Sequence, residues 1–129
     1  MKINTKRTEE CIEKSIINEE GIKETAKFYC IPLTPKEDDE LIEKATEKDW
    51  DKGQRFTNLN FLKYKLSKVN KIIQRWEGVE DEDGNPLECN RLNKEKVFLN
   101  NKDLIDSVLE EADKRANKYK LIKEDSEKN

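Results

Sequence analysis

The sequence contains no histidine, so the side chain that most often moves protons or ligates zinc near neutral pH is missing. Cysteine is scarce as well. Cys11, Cys30 and Cys89 are odd in number and widely spaced, with no Cys-x-x-Cys pair among them. A structural zinc site is therefore not expected, and thiols in a reducing compartment fit the pattern. Cys30 lies in an apolar run and reads as a small core residue. The four glycines are scattered, so no glycine-rich loop could cradle a phosphate. Ser15, Ser67, Ser107 and Ser126 stand in no nucleophile-elbow context. No run of about 18 apolar residues could form a membrane-spanning helix. These absences exclude the common catalytic designs: no catalytic residue, metal or cofactor is expected, and the chain is not read as an enzyme.

What is present is charge. Of 129 residues, 43% are charged and only 33% are hydrophobic, which leaves a small core. The length suits one domain spanning residues 1–129. The net charge of −3 provides no general positive field to draw the chain to nucleic acid. The first seven residues are basic, but no apolar signal core follows, so export is not expected.

Along the chain, residues 1–20 are the least determined. Ile12, Ile16 and Ile17 suggest a short helical stripe, and residues 18–21 read as a turn. Residues 25–33, rich in β-branched and aromatic side chains, form the clearest strand, ended by Pro32. Thr34, Pro35 and Glu37 form a capping box with proline at the first helical position. Leu41, Ile42 and Ala45 then give that helix a thin apolar face to about residue 47. Residues 49–54 read as a connection from which Trp50 folds back onto the core.

A longer helix is expected over residues 59–75, because Leu62, Leu66, Val69, Ile73 and Trp76 fall at steps of four and three. Phe61, Tyr64 and Ile72 widen that seam. Gly78 is placed to cap it in the left-handed conformation. Residues 81–86 carry aspartates, glycine, asparagine and proline together, as tight turns do, with Val79 and Leu87 placed to pair across them. A short helical piece follows over residues 93–99. Asn100 is placed to cap a last helix bearing Leu104, Ile105, Val108, Leu109, Ala112 and Ala116. The tail, residues 121–129, is polar and expected to fray. The fold class is mainly α with a small β element (α+β): a compact bundle of three to four helices plus a short strand or hairpin.

Two features invite functional readings. Asp81, Asp83 and Asn85 match the first, third and fifth ligand positions of a calcium-binding EF-hand loop. Pro86 stands where its glycine belongs, however, and Leu92 where its glutamate belongs, so the acids read as a turn. Lys68, Lys71 and Arg75 share a helical stripe within a run that has no acid between Lys63 and Arg75. The acids that follow, from Glu77 to Glu88, would partly cancel its field within a Debye length of about 10 Å. A solvated helix face is the simpler reading, and nucleic acid is disfavoured. Narrow apolar stripes on charged helices instead leave surfaces to share with a protein partner or a second copy of the chain. Trp76 and Trp50 are the natural anchors for that partner, and Trp76 also suits core packing, because it continues the apolar seam.

Residues 73–89 read Ile-Gln-Arg-Trp-Glu-Gly-Val-Glu-Asp-Glu-Asp-Gly-Asn-Pro-Leu-Glu-Cys. This stretch resembles a pattern in small phage and prophage proteins regarded as tail assembly chaperones or related tail-region proteins. In that pattern a helix ends in Trp-x-Gly-Val/Ile, and an Asp-x-x-Gly turn, a short apolar strand and two helices follow. Here the pattern falls on Trp76, Gly78, Asp81, Gly84 and Leu87, followed by residues 104–116. The resemblance covers 17 residues closely and the rest only in architecture. It implies that the chain covers the apolar helices of a tape-measure protein during tail assembly, without a cofactor, in the bacterial host cytoplasm. Trp76, Gly78, Asp81, Gly84 and Trp50 are then the fold-motif or partner-contact candidates. The alternatives are a structural tail or connector component, carried in the virion, and a regulatory nucleic-acid-binding protein.

Overall fold

Alternation and turn chemistry set the first two elements. The computed structural model describes residues 1–51, 53–117 and 122; the side chains of residues 49–51, 55 and 56 lie outside that description. Strand β1 (Glu10–Ile17) pairs antiparallel with β2 (Lys23–Cys30), with Ile12 opposite Phe28 and Ile16 opposite Glu24. The side chain of Asn18 closes the turn by accepting from the backbone of Glu20 and Ile22, each at 2.9 Å. The stripe expected to be helical at Ile12 and Ile16 is thus a strand. A step of four residues keeps side chains on one face under both the helical and the strand period, so spacing could not separate them.

Helix α1 (Pro35–Ala45) begins as expected. Thr34 Oγ1 accepts from Glu37 N at 3.2 Å, and the Glu37 carboxylate accepts from Thr34 N at 3.1 Å, so two otherwise orphaned donors are satisfied reciprocally. The stretch 49–54, expected to be a connection, instead falls at the closed end of a β-hairpin. Its strands are β3 (Thr46–Asp51) and β4 (Gln54–Leu59), with Gly53 at φ 78° in the bend. Asn60 then ties hairpin to helix. Its Oδ1 accepts from Lys63 N, capping α2 (Phe61–Ile72), while its Nδ2 donates to Glu47.

Helix α2 stops at Ile72 and the chain passes directly into strand β5 (Ile73–Glu77). The helix expected to reach residue 75 is therefore shorter. Gln74 Nε2 donates to the carbonyls of Lys71 and Ile72 at 2.8 and 3.0 Å, and Ile31 N donates to Ile72 O at 2.9 Å. Carbonyls that another helical turn would have satisfied are thereby paired. The three-residue step from Ile73 to Trp76, which reads as helical, is accommodated in β5 by a bulge. Cys30 pairs with Ile73 but Tyr29 with Arg75, so the extra residue, Gln74, lets Ile73 and Trp76 share a face.

β5 completes a three-stranded antiparallel sheet in the order β1-β2-β5. Helices α3 (Arg91–Asn100) and α4 (Lys102–Ala116) follow. One sheet face contributes Ile12, Phe28, Cys30 and Ile73 to the main core. The helices add Val69 and Ile72 from α2, Phe98 from α3, and Ile105, Val108, Leu109 and Ala112 from α4. A smaller cluster of Leu41, Ala45 and Tyr64 seats α1 on α2. Asn101, not Asn100, precedes α4, and it makes no side-chain capping bond.

The expected helical bundle with a short strand or hairpin is therefore corrected. The described residues hold four helices and five strands in two antiparallel sheets, an α+β fold whose core is built on a three-stranded sheet. The expected inward seam on α2 is also rotated: Phe61 and Leu62 are 66% and 53% exposed, whereas Tyr64, Val69 and Ile72 are buried.

Candidate functional site

A groove of about 560 Å³ opens beside the outer part of the β1–β2 hairpin. Its sheet wall is the core-facing side of the outer hairpin, carrying Lys14, Ile16, Glu24 and Ala26 and ending against Phe28. Across from it stand Val97 of α3 and Leu104 of α4, with Asn101 between the two helices. The third wall is the segment after β5, from Gly78 to Gly84. Ile16 is 46% exposed at the groove, so this is apolar surface that folding leaves uncovered.

The third wall is held rigid by identifiable chemistry. Asp81 Oδ1 accepts from the backbone N–H groups of Asp83 and Asn85, each at 2.9 Å, and Gly84 N donates to Asp81 O at 3.0 Å. The hydrogen bond from Asn85 N, which outweighs an upward push from burial and is helped by that from Asp83 N, holds the Asp81 carboxyl below the usual range. Leu87 N donates to Val79 O at 3.0 Å, so the pairing expected across the turn forms, with Glu80 bridged to Pro86. The residues resembling calcium ligands thus serve a turn, in which one Asp81 oxygen is occupied by backbone donors.

Gly78 joins this wall to the sheet. It is the residue after β5 rather than a helix cap, and its φ is 80°. A Cβ there would lie 2.8 Å from the carbonyl oxygen of Thr25 on β2. Trp76, two residues earlier, packs edge-on against Phe28 with ring centroids 6.3 Å apart, and its Nε1 donates to Leu87 O at 2.8 Å. Trp76 therefore anchors the turn to the core from behind, while Gly78, Asp81 and Gly84 line the groove itself. Trp50 lies in β3, on a separate sheet; its side chain, expected to fold onto the core, falls outside the described residues, as does the tail over 123–129. The motif pointed to one wall only. The other walls come from residues distant in sequence, and the exposure of Ile16 was hidden by reading it as part of a helix.

The rim is acidic. Glu24, Glu80, Asp81 and Glu82 line the groove, and none of them forms an ion pair among the described residues. The single lysine in the lining, Lys14, is held by Glu111 at 2.7 Å. The basic run of α2 and β5 is the reverse case. Lys65 meets Asp106 at 3.1 Å, Lys68 meets Asp113 at 3.9 Å, Lys71 meets Glu37 at 3.2 Å, and Arg75 meets Glu9 at 3.1 Å while stacking on Tyr29. Cations already engaged by the protein's own acids are poorly placed to neutralise phosphates.

A second groove of about 470 Å³ runs between α2 and α3 past Leu62, Leu66 and Asn70. Of the charges that line it, Arg91 and Glu95 pair with each other at 3.5 Å, and Lys63 adds a third. Among the described residues no group of three potential ligands gathers to hold a metal ion, and no helix is long and apolar enough to cross a membrane. The grooves offer recognition chemistry: uncovered aliphatic surface beside fixed charge.

Residues 37–129 match the model of a family described as YdaY prophage protein. The matched stretch runs from α1 onward and includes the Trp76–Leu87 turn, whereas the β1–β2 wall of the groove precedes it. The match bears out the phage or prophage part of the expectation drawn from that turn. No curated protein and no solved structure matches the chain.

Proposed function

Because the chain belongs to the YdaY prophage protein family, we propose that it acts in phage morphogenesis as a tail assembly chaperone, binding a tape-measure protein and using no catalytic chemistry. The observation that carries this reading is the groove beside the β1–β2 hairpin, where Ile16, Ala26, Val79, Val97 and Leu104 line a cleft whose motif-bearing wall is pre-formed. A pre-formed cleft with an aliphatic strip suits helix-in-groove recognition, since little ordering cost remains when a partner docks. Tape-measure helices present such apolar faces until the tail tube encloses them. The work is done in the host cytoplasm, and the chaperone leaves before the particle is complete.

Co-expression with the tape-measure protein of the same prophage tests this. A stable, co-purifying complex, with the chain missing from finished particles, is the expected result. Absence of a complex together with recovery of the chain from purified virions would replace this reading with a structural role in the tail or its connector.

A further inference from the structure

The groove also specifies the charge of what enters it. Its rim carries four carboxylates without ion pairs among the described residues, and the lone lysine in its lining is neutralised by Glu111. By contrast, Lys65, Lys68 and Lys71 on α2 and Arg75 on β5 have acidic partners. Other acids of this chain also lack ion pairs among the described residues, but here four of them stand around uncovered aliphatic surface, and the one cation in the lining, Lys14, is already paired. The α2–α3 groove, lined by Lys63 as well as by the Arg91–Glu95 pair, has no such acidic bias.

Resting on the partner-binding reading above, we propose that the occupant is an amphipathic helix whose apolar stripe is flanked by lysine or arginine. The apolar side chains of that helix would meet Ile16, Val79, Val97 and Leu104, and its cations would meet Glu24, Glu80 and Glu82. The floor is made of side chains from a sheet face and a helix corner, which suits the i, i+3, i+4 side-chain stripe of a helix. The volume of about 560 Å³ falls within the roughly 300–1,000 Å³ typical of ligand clefts. Exposed rim charges act mainly on encounter and on discrimination between partners, so the acids select the sign of the partner while the apolar lining holds it.

The test uses two synthetic peptides of about 18 residues, long enough for roughly 27 Å of helix. Both carry the same leucine stripe, flanked by lysine in one and by glutamate in the other. Titrated into the full chain and followed by amide chemical shifts, the lysine peptide is expected to bind and to perturb Gly78, Asp81, Val97 and Leu104. The glutamate peptide is expected to bind at least roughly tenfold more weakly, and added salt to narrow the gap. The exposed pair Glu80→Lys and Glu82→Lys should reverse the preference, and Ile16→Asp should weaken binding of both peptides. Equal binding of the two peptides, or shifts confined to other surfaces, would overturn the proposal. The same charge-reversed variant, co-expressed with the tape-measure protein, separates the two ideas. An unaffected complex sinks the acid-rim inference and leaves the chaperone reading standing. Groove binding of the lysine peptide without any tape-measure complex does the opposite.

Discussion

The indole Nε1 of Trp76 donates to the carbonyl oxygen of Leu87 over 2.8 Å, joining the end of β5 to the far side of the acidic turn. Trp76 also lies edge-on against Phe28 of the neighbouring strand, so one side chain links sheet, core and groove wall. Replacing Trp76 with Phe keeps most of the ring packing and removes the hydrogen bond. Urea unfolding should then show a loss of about 1 kcal/mol, near the net worth of one such bond. A Trp76→Phe protein as stable as the parent would mean that the turn is held without it.

Two glycines in one wall should respond differently to the same substitution. Gly78 and Gly84 both have positive φ, at 80° and 81°, so alanine at either meets the left-handed penalty of about 1–2 kcal/mol. A Cβ at Gly84 meets open space, whereas one at Gly78 meets Thr25 O at 2.8 Å. Gly78→Ala should therefore be the more damaging by about 1 kcal/mol or more, because the backbone of β2 must yield. Thermal unfolding of the two variants side by side decides it; equal losses would contradict the close approach.

Tyr64 gives the α1–α2 contact an alkaline limit. Its hydroxyl donates to Asp38, and burial, followed by the hydrogen bond and the charge of Asp38, pushes its pKa up to about 12 from an ordinary value of 10. The folded state thus favours the neutral phenol. That contribution is fully present below pH 10 and is lost as pH rises from 10 through about 12. Unfolding free energies over this window should fall more steeply for the parent than for Tyr64→Phe. Parallel curves would show that the phenol is not the group responsible.

Cys30 should be chemically silent in the native protein. It is fully buried on the core face of β2, and burial, aided by nearby Cys11, raises its thiol to about 12, so almost no thiolate forms near neutrality. An aromatic disulfide reagent at pH 8 should label Cys30 only as fast as the protein unfolds, with Cys11 and Cys89, both only half-buried, ahead of it. Cys30 labelling that keeps pace with the other two would place it outside the core.

Where local chemistry decides structure, the sequence was readable. The Thr34–Glu37 capping box, the Asn18–Gly21 turn and the Asp81–Gly84 turn each follow from side chains bonding backbone only a few residues away. The stripe of Ile105, Val108, Leu109 and Ala112 on α4 is long enough for its period to be unambiguous. The errors fell where two periods coincide. Ile12 and Ile16 share a face in a strand as well as in a helix, and the bulge at Gln74 lets the Ile73-to-Trp76 step imitate a helical one.

Composition and spacing alone therefore excluded histidine-based chemistry and a membrane-spanning helix, and located the rigid turn. They did not determine the groove. Ile16, Val79 and Leu104 are brought together by strand pairing and helix packing between segments far apart in the chain. Whether an acid there has a partner depends on which cation the fold carries within about 4 Å of it. Only the tertiary structure assigns Glu37 to Lys71 and leaves Glu80 and Glu82 without ion pairs among the described residues, because Coulomb attraction depends on distance through space rather than separation along the chain.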